Sequence, residues 1–535
     1  MNFQTADWAF FILYLVGIIT FALYISRKKR GEKETTESYF MAGKSLPWWI
    51  IGGSLIASNI SAEQFIGMSG DAFRLGLGIA TYEFMAALTL ILVAWFMLPI
   101  YLKKGIYTMP QLVEQRYDGN VRTGLAIFWL LIFVFVNITS VLYLGALTME
   151  KTLGINLIWG VIGLALYSAT FSIFGGLRTV VWTDLIQVFF LIAGGLFTTY
   201  FALDAYSGGE GFVDGLSKLY TDVGDRFNMV LFKGELMYEN DEGVLSDAWD
   251  KLPGWSVLIG GMWIANFYYW GTNQYIIQRA LAAKNIQEAR KGIAFAAFMK
   301  LLLPLIVVIP GIAAYAMKAD LDKGDQVYSW VLNEFIGTGF KGICFAAVVA
   351  AVGSSISSIV NSVSTIFTMD IYRHLGTGAS DKSEEHLVKV GKITAGVSLL
   401  IGVLIAPQFV ALESAFSFIQ KYTGFFSPGI LVIFMFGLFW KKATARAAMI
   451  VVLMSLPLSI FIDYQFSYIP FMNQMGISFI VLSLVMIVIS LVKNKGADDE
   501  KAIELEDGIF QTSAGFKVSS MIICGILAAI YTIMF

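Results

Sequence analysis

Long apolar runs alternate with short polar segments along the whole chain. Windows of about 20 apolar residues, enough for a helix to cross a hydrocarbon core of about 30 Å, fall near 7–26, 47–70, 76–101, 123–150, 155–175, 180–205, 255–278, 292–317, 335–371, 390–406, 409–439, 443–463, 471–492 and 516–535. The pattern predicts an all-α polytopic membrane protein with fourteen spans.

Two of these runs are broken by polar residues. Ser58-Asn59-Ile60-Ser61-Ala62-Glu63-Gln64 interrupts the stretch from Leu46 to Gly70, and the stretch from Asn266 to Gln274 interrupts 255–278. Carboxylate and amide groups at membrane depth are expensive, so they persist where they face a cavity or bind something. The two broken runs each head a set of five spans, and such a pair points to an inverted-repeat transporter with its site at the midplane. Carbonyls freed at a break can be satisfied by a cation.

Composition agrees with the membrane setting. Of 535 residues, 57% are hydrophobic and 14% charged, against about 25% charged in soluble proteins, and the mean hydropathy is +0.70. A net charge of -2 and a pI near 5.9 give no case for nucleic acid. Cys344 and Cys524 lie far apart in apolar segments and read as buried thiols, not a disulfide. The first run has no basic leader and ends in Arg27-Lys28-Lys29-Arg30, so it is expected to stay as an anchor with its N-terminus outside.

Cytoplasmic loops collect Lys and Arg. With that orientation the alternate loops hold 26 of the 37 basic residues, while 206–252 carries ten acidic against four basic residues and reads as a solvated external loop. An even span count then places both termini outside the cell membrane. The only two histidines are His374 and His386, and no Cys/His cluster has metal-ligand spacing. There is no nucleotide-binding glycine run and no soluble stretch long enough for a catalytic domain. An enzyme is excluded; a secondary transporter, a channel or a membrane receptor is left.

Glu83, Lys300, Asn266 and Gln420 are the remaining polar side chains inside apolar runs, with Tyr82, Tyr268 and Trp270 near the breaks. One anion, one cation, amides and aromatic walls suit a neutral polyhydroxyl ligand. The bland alternatives are a structural Glu83–Lys300 ion pair and interhelical hydrogen bonds worth about 0.6–2 kcal/mol each. Ser354, Ser355, Ser357 and Ser358 crowd about one helical turn. With carbonyls freed near Ala57 and Ile60 they would supply the oxygen shell that a hard cation wants.

Ser45-Leu46-Pro47-Trp48-Trp49, the segment Asn59 to Gly67, Gly175-Gly176-Leu177 with Val181-Trp182-Thr183-Asp184, Ala265-Asn266 with Tyr268-Tyr269-Trp270-Gly271, and the segment Thr365 to Tyr372 resemble the sodium/solute symporter family, most closely its bacterial sodium/galactose (sodium/glucose-type) branch. The resemblance implies a LeuT-like core of two inverted five-helix repeats. The organisation would be 1–46 (first span and inner loop), 47–205 (first repeat), 206–252 (external loop), 253–440 (second repeat) and 441–535 (three terminal spans). It implies that Gln64, Glu83, Asn266, Lys300 and Gln420 hydrogen-bond a sugar while Tyr269 stacks on it, and that Met68, Tyr82 and Phe416 form an outer gate. Sodium would be held by carbonyls of Ala57, Ile60 and Ala351 and hydroxyls of Ser354 and Ser355.

Two departures from that branch stand out. Ala86 replaces a serine of the sugar site, which removes a hydroxyl contact. Ser357-Ser358 instead resembles members that couple two sodium ions, which implies a second sodium site at Asp184, Ser354, Ser357 and Ser358. The function expected is sodium-driven uptake of a neutral hexose, galactose or glucose, by alternating access, with sodium, sugar and the bilayer as partners. The alternatives are a same-fold symporter for inositol, an amino acid or sialic acid, and, further off, a channel or sugar sensor. A sialic-acid type would want an arginine in the third core helix, where 123–150 offers only Asn137.

Overall fold

Backbone immersed in hydrocarbon has to satisfy its own N–H and C=O groups, and every apolar window of the sequence accordingly contains helix. The computed structural model describes residues 3–27, 35–240, 243–321, 323–375, 382–411 and 415–535, with backbone alone at 410, 411 and 415–417. Helix α1 is Thr5–Ile25, α2 is Trp48–Asn59, α3 is Glu63–Lys104, α4 is Gly119–Leu153 and α5 is Leu157–Ser207. After α6 (Phe212–Asp222) come α7, residues 254–272, and α8 (Gln274–Leu281). Then follow α9 (Ile286–Ala316), α10 (Phe340–Leu375) and α11 (Glu384–Phe409). The chain closes with α12 (Ala415–Phe439), α13 (Ala445–Gln465), α14 (Phe471–Asn494) and α15 (Ala514–Ile533). Eleven helical runs among the described residues are long and apolar enough to cross a membrane.

The 51 residues of α5 would span about 77 Å as one rod, more than twice a hydrocarbon core. It bends at Gly176, whose φ of 58° and ψ of -158° interrupt the helical backbone. Gly176 also lies so close to the 36–41 helix that an added Cβ would sit 2.4 Å from the Tyr39 carbonyl oxygen. The turn thus separates the two windows the sequence predicts at 155–175 and 180–205.

The window predicted at 390–406 starts earlier, at Glu384, because Ser383 caps it by accepting the His386 N–H. Glu384 then ties the helix to the short 36–41 helix by accepting the Thr36 N–H at 2.7 Å.

Helix α10 is the central column, with 94% of its membrane window buried against 22% for α1 and α15. Asp7 of α1 docks on its start, accepting the N–H groups of Gly339 at 2.7 Å and Gly342 at 3.2 Å. Cys344 is buried in α10; Cys524 is exposed on α15, contrary to the expectation that both thiols are buried, because α15 is peripheral.

The described residues of 206–252, many of them exposed as expected of a solvated loop, carry secondary structure of their own. They comprise α6 and an antiparallel hairpin of β1 (Met237–Glu239) and β2 (Leu245–Asp247). Arg226 anchors the segment: it donates to the Arg74 carbonyl and lies 3.8 Å from the centroid of the Tyr315 ring. Phe227 is buried, while Tyr220 and Phe232 remain exposed.

Candidate functional site

The break between α2 and α3 is made by side chains that take over backbone donors. Ser61 N–H turns to Gln64 Oε1 at 2.9 Å, Glu63 N–H to Ser61 Oγ at 3.0 Å, and Gln64 N–H to the Ser61 carbonyl at 3.2 Å. A continuous helix would have used these donors for the carbonyls of Ala57, Asn59 and Ile60. Those carbonyls are thereby freed. The second break falls at Asn273, whose φ of -72° and ψ of 125° are extended; its N–H closes a wide π turn onto the Tyr268 carbonyl at 3.1 Å. Gln274 then bonds the Met109 N–H at 2.8 Å and the Tyr107 carbonyl at 3.1 Å.

Between the two breaks lies a partly open cavity lined by residues of both broken helices. Gln64, Glu83, Asn266, Tyr269, Lys300 and Gln420 all line it, as do Met68, Tyr82 and Ala86. The Phe416 side chain lies outside the described residues. Lys300, buried at 1% exposure, contacts both Glu83 and Asn59 Oδ1 and sits 5.0 Å from the centroid of Trp270. Asn59 Nδ2 donates to the Tyr269 hydroxyl at 3.0 Å, and the Tyr275 hydroxyl donates to the same oxygen at 2.7 Å. The suspected ion pair therefore exists and also forms part of the cavity wall.

Sequence reasoning had not assigned Asn59, Glu63, Asn137, Asn273 or Thr423, which line the same cavity. The polar interruption itself was the signal for Asn59 and Glu63. Asn137 Oδ1, Asn273 Oδ1 and Thr423 Oγ1 are buried with no hydrogen-bond partner among the described residues. Buried polar atoms rarely stay unpaired, so these three keep hydrogen-bonding capacity for a further partner. Lys300 is the only cationic side chain among the described lining residues, and it is already committed to Glu83 and Asn59.

Beside the freed carbonyls, Ser355 Oγ donates to the Ser58 carbonyl at 3.1 Å, which sets this hydroxyl of α10 against the first break. Ala351 lies one turn earlier on α10 and is fully buried. This set of carbonyl and hydroxyl oxygens has the chemistry of a hard-cation site. Ser354 Oγ turns the other way and donates to Asp184 Oδ1 at 2.5 Å.

Of the second cluster foreseen, Asp184, Ser354 and Ser358 come together, but Ser357 does not. Its hydroxyl returns to the Ser354 carbonyl of its own helix at 3.0 Å. Ser54 and Ser58 join instead, at 2.5 and 3.3 Å from Asp184 Oδ2, together with Arg279 at 3.5 Å. Arg279 had been counted as a cytoplasmic-loop residue, yet it is fully buried. Its signal was an acid inside a membrane span with no assigned counter-charge. Further along α10, Asp370 accepts from Thr108 Oγ1 at 3.0 Å and Arg122 Nε at 2.8 Å.

A model of the sodium:solute symporter family matches residues 39–455. The chain is 46% identical to the sodium/glucose cotransporter of Vibrio parahaemolyticus, over 98% of both chains. It is 31% identical to the sodium/myo-inositol cotransporter 2 of Homo sapiens, over 83% of this chain and 68% of that protein. Among solved structures, a Na+-coupled sialic acid symporter in a substrate-bound outward-open state superposes with a TM-score of 0.78 at 22% identity, covering 92% of this chain and 98% of that one. The nucleobase-cation-symport-1 transporter Mhp1 gives 0.53 at 13% identity, over 86% and 96%. At such identities these two structures speak for the fold alone, and they agree with the LeuT-like all-α class expected.

Proposed function

The chain belongs to the sodium:solute symporter family and is a sodium-coupled membrane transporter, not an enzyme; we propose that its solute is a neutral hexose, glucose or galactose, taken up by alternating access. The observation that carries this reading is the charge state of the cavity. Its single described cation is consumed by Glu83 and Asn59, so a carboxylate-bearing solute such as sialic acid would find no free counter-charge. Unpaired amide and hydroxyl atoms at Asn137, Asn273 and Thr423 instead match a ligand rich in hydroxyls. The 46% identity to a sodium/glucose cotransporter supports the same class.

In this reading Gln64, Glu83, Asn266, Lys300 and Gln420 hydrogen-bond the sugar, and Tyr269 closes one face of it. Met68, Tyr82 and Phe416 close the other. One sodium is held by the carbonyls of Ala57, Ile60 and Ala351 with Ser355 and, once its hydroxyl leaves Asp184, Ser354; a second engages Asp184, Ser354, Ser357 and Ser358 only after these side chains leave their present partners. Helix α2 and the break at its end carry the Ala57 and Ile60 carbonyls together with Asn59, so sodium orders the sugar site and each ligand raises the affinity of the other. Both termini are extracytoplasmic, residues 47–205 and 253–440 are the two repeats, and the chain sits in the cell membrane.

Myo-inositol is a second reading, because it is also a neutral ring of hydroxyls and Ala86 removes a hydroxyl from the wall. Uptake of radiolabelled glucose, galactose and myo-inositol into proteoliposomes, under an inward sodium gradient and a potassium control, tests both. Sodium-dependent accumulation of a hexose above myo-inositol is expected. Accumulation of neither hexose would refute the sugar assignment.

A further inference from the structure

Asp184 is fully buried, and so are Arg279, Ser54, Ser354 and Ser358. Around the carboxylate, Ser54 and Ser354 donate at 2.5 Å each, and Ser58 Oγ stands 3.3 Å away and 2.9 Å from Ser358 Oγ. Six oxygens thus converge in a region closed to water. Such an all-oxygen shell is what hard cations select.

In this conformation the positive charge at that shell is a guanidinium. Arg279 Nε donates to Ser54 Oγ at 2.9 Å, Nη2 reaches Asp184 Oδ2 at 3.5 Å and also contacts Ser358 Oγ, and Nη1 contacts the Tyr275 carbonyl. A buried ionised carboxylate at membrane depth is costly and is found paired with a counter-charge. Arg279 supplies it without any bound ion. A sodium ion added to the same shell would leave one uncompensated positive charge, so guanidinium and sodium exclude each other there.

The cluster is also wired to the rest of the site. Ser58 contributes its hydroxyl to Asp184 and its carbonyl to Ser355 beside the first break. Tyr275 receives Arg279 through its carbonyl and touches Tyr269 of the cavity wall through its hydroxyl. Release of the guanidinium therefore acts on the residues around both sodium and solute.

We propose that Arg279 is a tethered counter-cation that competes with sodium for Asp184, holding the oxygen cluster when the carrier is free of sodium and yielding it when a sodium ion enters. The proposal rests on the sodium-coupled reading above and adds to it a built-in competitor that sets how readily the Asp184 cluster accepts sodium.

Equilibrium binding of radioactive sodium to the purified full-length protein tests it, with R279Q, R279K and the double variant D184N/R279Q. R279Q is expected to lower the half-saturating sodium concentration at least about threefold and to raise the sodium bound per carrier. R279K, a point charge without the guanidinium fork, is expected to fall between wild type and R279Q, and it serves if R279Q does not fold. D184N/R279Q should lose the gain. Half-saturation equal to or above wild type in the folded Arg279 variants would overturn the inference while leaving sodium coupling intact. Absence of sodium binding by the wild type would overturn both.

Discussion

The Glu83–Lys300 pair offers a perturbation that separates a structural role from a ligand-binding one. Both side chains are almost fully buried, at 4% and 1% exposure, and Lys300 also binds Asn59. Truncating Lys300 to Ala leaves a buried carboxylate without its partner, which costs about 3–5 kcal/mol. Replacing both, as Glu83→Gln with Lys300→Met, removes both charges and is expected to recover most of that stability. Sugar binding should behave differently. A hydrogen bond to a charged group contributes about 1.5–3 kcal/mol, so losing even one such contact weakens the sugar about 10- to 150-fold. Thermal denaturation in detergent reads the first quantity and equilibrium sugar titration the second. The expected result is a double variant that is as stable as wild type, or nearly so, yet binds sugar at least about tenfold more weakly. A stable double variant whose sugar affinity stays within about threefold of wild type would sink the argument, because the pair would then be scaffolding alone.

Three further outcomes follow from particular contacts. Ser355→Ala removes the hydroxyl that meets the Ser58 carbonyl beside the first break; the loss of about 1 kcal/mol or more should raise half-saturating sodium about fivefold or more in uptake assays, with sugar affinity at saturating sodium little changed. Asp7→Ala leaves the N–H groups of Gly339 and Gly342 without their acceptor at the start of α10, which should cost about 1–2 kcal/mol in thermal denaturation without altering the sodium-to-sugar ratio. Gly176→Ala forces a Cβ against the Tyr39 carbonyl at a positive φ, and it should abolish folded protein as judged by size-exclusion chromatography.

Much of the site was legible because polar atoms in an apolar run stand out against a uniform background. Ser58 to Gln64 and Asn266 to Gln274 were visible as interruptions, and Glu83, Lys300 and Gln420 as single polar letters in long apolar segments. The cavity that collects them was implied by pattern and resemblance together. Arg279 was missed for a physical reason: it lies at the end of a window, where loop and buried helix have the same composition. The docking of 206–252 through Arg226 was not legible, because an acidic, mostly polar stretch does not reveal that Arg226 will find the Arg74 carbonyl and the Tyr315 ring.

The sequence by itself determined the helical membrane class, the two broken helices and the identity of most polar groups between them, because hydrocarbon admits few backbone solutions and makes every polar exception costly. Only the tertiary structure decided which exceptions are already satisfied by one another. It paired Lys300 with Glu83 and Asn59, turned Ser357 back onto its own helix, and set Arg279 against Asp184. Those choices depend on angstrom-scale distances between helices far apart in the chain, which neither periodicity nor composition encodes.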